Sequence, residues 1–209
     1  MEKETMKMVN RGFQLGVSLL ILSASAGTAM AQALPPGSPL PMQAHSVHLV
    51  DGTQTTIGDL AGSEGTVFIF WSNQCRWVGK YEERVLALQA EYAGKGINFV
   101  LVNANDPDAF PQEAAAVGQA KNYPMPYVTD AGSQFAQGVG ASRTPHVFAF
   151  DGTKTLVYVG TIDDSPGDPG NAQKTYLRDV LEALAQGGSV EVPGTKAFGC
   201  MIKFQTAGG

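Results

Sequence analysis

Two cysteines far apart in the sequence frame the chemistry open to this chain. Cys75 follows the hydrophobic run TVFIFW (Thr66 to Trp71) and precedes VGKYEERVLALQAEY (Val78 to Tyr92), so it stands at a strand-to-helix turn. A thiol there feels the positive end of the helix dipole and meets free backbone N–H groups; both favour the thiolate, which is the reactive form. Arg76 adds a cation next to the thiol, which also favours the thiolate and suits orientation of a peroxide oxygen. Ser72 is placed to polarise a substrate or to cap the helix, and Trp77 to shield the thiol or to pack. Cys200 lies in a tail reading KAFGCMIKF. It either resolves an oxidised Cys75 or closes a permanent bond that anchors the tail.

Other chemistries find less support. His45 and His48 are three apart on an expected strand, which puts them on opposite faces, and no CxxC or HxxxH pair offers a metal site. No metal and no cofactor is expected. His146 opens a buried strand, where a histidine is a hydrogen-bonded core residue more often than a base. Asp163, Asp164 and Asp168 fall in a Pro/Gly-rich loop that reads as solvated, with weak calcium binding the lesser alternative.

The elements that position Cys75 follow from periodicity. His45 to Val50 alternates into a tight turn at Asp51 and Gly52, and Ile57 to Leu60 suggests a helical turn. Apolar positions at Val78, Tyr81, Val85, Leu88 and Tyr92 recur at three- and four-residue steps, the mark of a helix stopped by Gly94 and Gly96. Ile97 to Ala104 is a β-branched apolar run suited to a strand covered on both faces. Phe110 to Lys121 reads as a helix, a short strand begins near Tyr127, and Ser133 to Gly138 is a brief helix. His146 to Phe150 and Thr155 to Gly160 form a hairpin across Asp151 and Gly152, and a last helix covers Thr175 to Gln186. This alternation predicts an α/β domain with helices on both faces of one sheet.

At the N-terminus, Lys3, Lys7 and Arg11 precede an apolar stretch around Val17 to Leu22 and small residues ending in Ala31. That is a secretory signal pattern cleaved after Ala31, its apolar core shorter than the about 20 residues of a membrane span. The expected organisation is a signal peptide over 1–31, a flexible leader over 32–41, one domain over 42–188 and a tail over 189–209 carrying Cys200. Removing the signal takes three of 14 basic and two of 19 acidic residues, leaving 11 against 17, a net charge of about −6. Nucleic acid is thereby disfavoured as a partner, and no membrane association is expected after cleavage. The expected location is the periplasm or another exported compartment. An even cysteine count there makes a disulfide plausible, and two cysteines allow one intrachain pairing.

Five segments together resemble the redoxin type of thioredoxin-fold protein, the group that includes thioredoxins and alkyl hydroperoxide reductases. They are FWSNQCRWVGKYEER, NANDP, SRTPHVFAFD, YVGTIDD and AFGCMIK, spanning roughly Pro41 to Ile202. The resemblance implies a thioredoxin-like fold, a central mixed sheet flanked by helices. Trp71 and Cys75 match the tryptophan and first cysteine of a thioredoxin turn, but Val78 stands where the second cysteine belongs, so dithiol chemistry inside the turn is impossible. Ser72 matches the hydroxyl three residues before a peroxidatic cysteine, whereas Phe68 replaces the proline seven before, and Arg76 stands where many relatives have proline. Thr144 and Pro145 match the family's cis-proline element, which implies a backbone contact to substrate or mixed disulfide. The implied function is thiol-dependent reduction of a peroxide or disulfide, with Cys75 as nucleophile, Cys200 as resolver and an external thiol as reductant. The alternative is a non-catalytic thioredoxin-fold binding or scaffold protein with a structural Cys75–Cys200 bond.

Overall fold

The longest apolar runs form the middle of the sheet. The computed structural model describes residues 32–205, so the signal-peptide reading lies outside the described residues. In chain order the elements are β1 (Ser46–Leu49), β2 (Gln54–Thr56), β3 (Gly65–Trp71), α1 (Arg76–Tyr92), β4 (Ile97–Asn103), α2 (Ala115–Gln119) and β5 (Tyr127–Thr129). They continue with α3 (Gln134–Val139), β6 (Arg143–Thr144), β7 (His146–Asp151), β8 (Leu156–Gly160), α4 (Tyr176–Gln186) and β9 (Cys200–Met201). Seven strands make one mixed sheet in the order β2-β1-β5-β4-β3-β7-β8, while β6 and β9 pair separately. β3 runs parallel to β4 and antiparallel to β7, so it is hydrogen-bonded on both edges.

Strand alternation then builds two cores. Val67, Ile69 and Trp71 of β3 face α1 and α4, meeting Val78, Tyr81, Val85, Leu177 and Leu181. Phe68 and Phe70 face the opposite layer, where Phe68 meets Phe135 edge-on at 5.1 Å and Phe70 meets Phe148 at 5.6 Å. The residue that replaces the peroxidatic proline is therefore a core side chain, remote in role from the thiol.

Three segments depart from the sequence reading. Ala33 to Pro41 is fastened rather than flexible: the N–H of Leu34 bonds Val139, those of Gly37 and Leu40 bond Leu156 and Lys154, and Leu40 is buried. Its partners are distant in sequence, so no local period announces it. The helix expected over Phe110 to Lys121 is broken into a 3₁₀ turn at Pro111–Glu113 and the five-residue α2, because Ala114 is extended (φ −60°, ψ 148°). That break turns Glu113 inward. The Ile57 to Leu60 segment is a turn without helix, preceded by the extra strand β2.

In the acidic loop after β8, Asp164 and Asp168 are exposed, as the solvated reading expects, while Asp163 is buried and forms a clamp. Asp163 accepts the Tyr81 hydroxyl at 3.0 Å and the Ser165 N–H at 2.9 Å, and pairs with Arg84. Asp164 accepts the N–H groups of Gln173 and Lys174, and Asp168 caps the 3₁₀ turn Pro169–Asn171. The clamp holds α1, and with it Cys75, against the end of β8. Asp163→Ala leaves Arg84 without its carboxylate, so unfolding free energy is expected to fall by about 3 kcal/mol. A thermal melt reads this as a Tm lower by roughly 10 °C.

Candidate active site

Cys75 is the N-cap residue of α1, with extended backbone (φ −71°, ψ 119°) and 6% exposure. It stands at the positive end of a 17-residue helix, and its side chain makes no cap hydrogen bond. Its partner is Cys200: the two sulfurs are bonded, with Cα atoms 6.1 Å apart. The Cys75 sulfur also lies 3.1 Å from the carbonyl oxygen of Thr144, and the Thr144–Pro145 peptide is cis. Thr144 and Cys200 are register partners in the antiparallel β6–β9 pair. A disulfide, a helix N-terminus and a short paired strand thus meet at one point.

The other residues expected at the site divide. The Ser72 hydroxyl oxygen accepts the N–H of Cys75 at 3.1 Å and that of Gln74 at 3.3 Å, closing the turn. Trp77 is half-buried, with Phe198 of the tail edge-on against it at 4.8 Å, so the indole packs against the segment that carries Cys200. Arg76 is exposed, its guanidinium 4.6 Å over the Trp77 ring, where it braces the indole.

Sequence reasoning missed the support beneath the turn. Glu113 is 3% exposed, and its carboxylate accepts the Ser72 hydroxyl at 2.5 Å, the Asn73 N–H at 2.8 Å and the Asn103 side-chain amide at 3.0 Å. Tyr127 donates to the Asn73 side-chain oxygen at 2.8 Å. The NANDP segment marked this region without disclosing its role. Asn105 donates to the Trp71 carbonyl at 3.4 Å and accepts the Lys203 N–H at 2.9 Å, joining the cysteine turn to the tail.

The tail is fastened on both sides of Cys200. Upstream, Thr195 donates its N–H to Val159 at 2.9 Å, and its hydroxyl oxygen accepts the Thr161 N–H at 3.0 Å. Downstream, the N–H of Ile202 bonds Ser142 and the carbonyl of Lys203 accepts from Asp106. Gln205 donates its N–H to the Ser133 hydroxyl at 3.1 Å.

His146 is a core residue rather than a base. It is 3% exposed, packs 4.6 Å from Phe148, and accepts from the Ser142 N–H at 3.4 Å. Burial, helped by the charge of Arg143, lowers its pKa from 6.5 to about 4. The folded value lies below the unfolded one, so the unfolded chain takes the proton first and stability is lost as pH falls from 6.5 towards 4. The loss approaches about 3 kcal/mol. In urea titrations between pH 4.5 and 7, His146→Gln should show a correspondingly shallower pH slope than the parent. Among the described residues, no cluster of three or more His, Cys, Asp or Glu is placed to hold a metal, and no helix is long and apolar enough to cross a membrane.

A mixed sheet flanked by helices, a cysteine capping the helix after its central strand, and a cis-proline facing that sulfur define a thioredoxin-like fold. A sequence model of the Redoxin family matches residues 35–176, and the chain belongs to that family. It is similar to a hypothetical protein from Sinorhizobium meliloti 1021, at 31% identity over 85% of this chain and 98% of that one, with a TM-score of 0.74. An uncharacterized conserved protein from Geobacillus kaustophilus matches at 29% identity over 83% and 94% of the two chains, TM-score 0.76. The thioredoxin domain of a thiol-disulfide oxidoreductase from Bacteroides vulgatus shares the fold at 20% identity over 65% and 94%, TM-score 0.52. No curated protein matches the sequence.

Proposed function

We propose that this protein is an exported thiol-dependent oxidoreductase that reduces small peroxides or low-mass disulfides, with Cys75 as nucleophile and Cys200 as resolver. One observation carries the reading: the thiol at the N-terminus of α1 is joined to a cysteine on a tail that is anchored independently of the bond. Opening the bond leaves Cys200 beside Cys75, so it can close again without unfolding. A bond between two elements held this close has a high effective concentration of one thiol for the other.

With a peroxide, the Cys75 thiolate attacks one oxygen, the O–O bond breaks, and the leaving oxygen takes a proton as water or alcohol. Cys75 is left as a sulfenic acid. The Cys200 thiol attacks that sulfur, expels water and forms the Cys75–Cys200 bond. With a disulfide, Cys75 attacks one sulfur and the other leaves as a thiol; Cys200 then displaces the remaining half from Cys75. In both routes two electrons pass to the substrate, and an external dithiol returns them by reducing the Cys75–Cys200 bond.

The tail favours small electrophiles. β9 occupies the edge of β6, where an extended segment of a larger substrate would have to lie. The test is turnover of hydrogen peroxide, an alkyl hydroperoxide and a low-mass disulfide by the full chain with excess dithiol reductant. Consumption of at least one, at a rate that saturates with substrate, is the expected result. No consumption of any, together with a bond that resists the reductant, favours the inert scaffold.

A further inference from the structure

The turn that carries the proposed nucleophile rests on a buried carboxylate to which the catalytic steps above give no part. Ser72 has two N–H groups on its oxygen, from Cys75 and Gln74, so its own proton is free for one acceptor, which is Glu113. The second carboxylate oxygen receives the Asn73 N–H and the Asn103 amide. Every strong interaction reaching the carboxylate is a donor, which is the pattern an anion satisfies and a protonated acid does not.

That anion has no cation within ion-pair range among the described residues. The charged and titratable groups around the thiol are few. On α1, Arg76 lies out over Trp77; on β6, Arg143 donates to the Gly199 carbonyl; on β7, His146 is neutral. In the tail, Lys203 lies 6.0 Å over Phe110. Behind the turn, burial holds the phenols of Tyr123 and Tyr127 protonated, the first raised to about 12. Glu113 is the negative member of this set that is hydrogen-bonded into the turn.

We infer that Glu113 is a positioning residue for the Cys75 nucleophile: through Ser72 it fixes the turn that sets the thiol at the N-terminus of α1, and its uncompensated charge restrains the thiolate. The inference rests on Cys75 acting as the nucleophile. Geometry and charge then have opposite consequences for reactivity. The wiring keeps Cys75 aligned with Cys200 and the helix end, while the charge offsets part of the pull that the helix dipole exerts on the proton. The arrangement yields a thiol that is placed for attack without standing permanently ionised, and a permanent thiolate is the form most exposed to irreversible over-oxidation.

Two variants separate the two parts. Glu113→Gln removes the charge but turns an amide NH2 towards one of the donors, so it also loosens the wiring; Ser72→Ala keeps the charge and cuts the wiring, so a Cys75 midpoint lowered in the first variant alone reports the charge. The readouts are the pH dependence of iodoacetamide alkylation at Cys75, resolved from Cys200 by peptide mass mapping of the reduced full chain, and the rate at which the Cys75–Cys200 bond closes after one equivalent of oxidant. Glu113→Gln should lower the Cys75 midpoint by about one pH unit, making alkylation below that midpoint up to about tenfold faster. Ser72→Ala should slow closure several-fold without lowering the midpoint.

A Glu113→Gln midpoint that is unchanged or raised overturns the charge role. If that variant fails to fold, Ser72→Ala still decides: unaltered closure overturns the wiring. In either case the parent protein continues to turn over, so the functional reading survives. A Cys75 that is unreactive in the parent as well removes the nucleophile on which both stand.

Discussion

Cys75→Ser is expected to abolish reduction of every substrate the protein accepts, by on the order of 10³-fold or more, because no other group at the turn can form the covalent intermediate. Val78 stands where a second turn cysteine would be, and His146 is buried and neutral. Cys200→Ser has a different signature. Its first step should proceed within a few-fold of the parent rate, since Cys75, Ser72 and the Thr144 carbonyl are untouched, and the product should accumulate as a Cys75 sulfenic acid or mixed disulfide. Steady turnover then depends on thiol from solution and drops by roughly 10²-fold at millimolar thiol, for want of the tethered partner. Single-turnover stopped flow with intact-mass detection distinguishes the two. Equal loss in the first step for both variants would show that Cys200 shapes the reactive thiol rather than resolving it.

The second large effect needs no cysteine to be changed. Gly199 precedes Cys200 with φ +137°, a region that favours glycine, and a Cβ there would meet the Thr144 oxygen at 2.1 Å and its carbonyl carbon at 2.7 Å. The obstacle is backbone that also lines the Cys75 sulfur, so it cannot rotate away. Gly199→Ala should therefore push β9 off β6 and separate Cys200 from Cys75. Strain and overpacking together amount to about 2–4 kcal/mol, enough to shift the closing equilibrium towards the dithiol by roughly 30-fold or more. The variant should reproduce the accumulation expected of Cys200→Ser while keeping both thiols. Gly79→Ala is the matched control: it lies in α1 with nothing within 4 Å of the added Cβ, and should close normally. Redox titration followed by peptide mapping reads both.

What the sequence discloses of this molecule depends on where each interaction is made. β3 and β4 are legible because a strand covered on both faces must be apolar throughout, and α1 because its buried side chains recur at helical spacing. Cys75 is legible for the same reason, as a polarisable atom at the junction of two clear periods. The inward turn at Glu113 is not, since an alanine-rich stretch has ordinary helical propensity until Ser72, Asn73 and Asn103 claim the carboxylate. β9 is two residues long and exists through its pairing with Arg143 and Thr144, so it leaves no period of its own. The leader and the Asp163 clamp follow the same pattern: short polar or proline-rich segments whose partners are more than 70 residues away. Arg76 illustrates the converse, a residue type that suits thiolate chemistry but whose guanidinium rests over an indole in solvent.

In the proposed cycle the Cys75–Cys200 bond opens and closes once per turnover. The most direct measurement is to reduce the full chain, add one equivalent of hydroperoxide or low-mass disulfide, quench with acid and alkylating reagent at successive times, and quantify the Cys75–Cys200 peptide. The bond should form at the rate of substrate consumption and disappear, with renewed consumption, when dithiol is added. Substrate consumption while the bond remains closed, or a reduced protein that consumes substrate without forming it, would rule out the Cys75–Cys200 cycle.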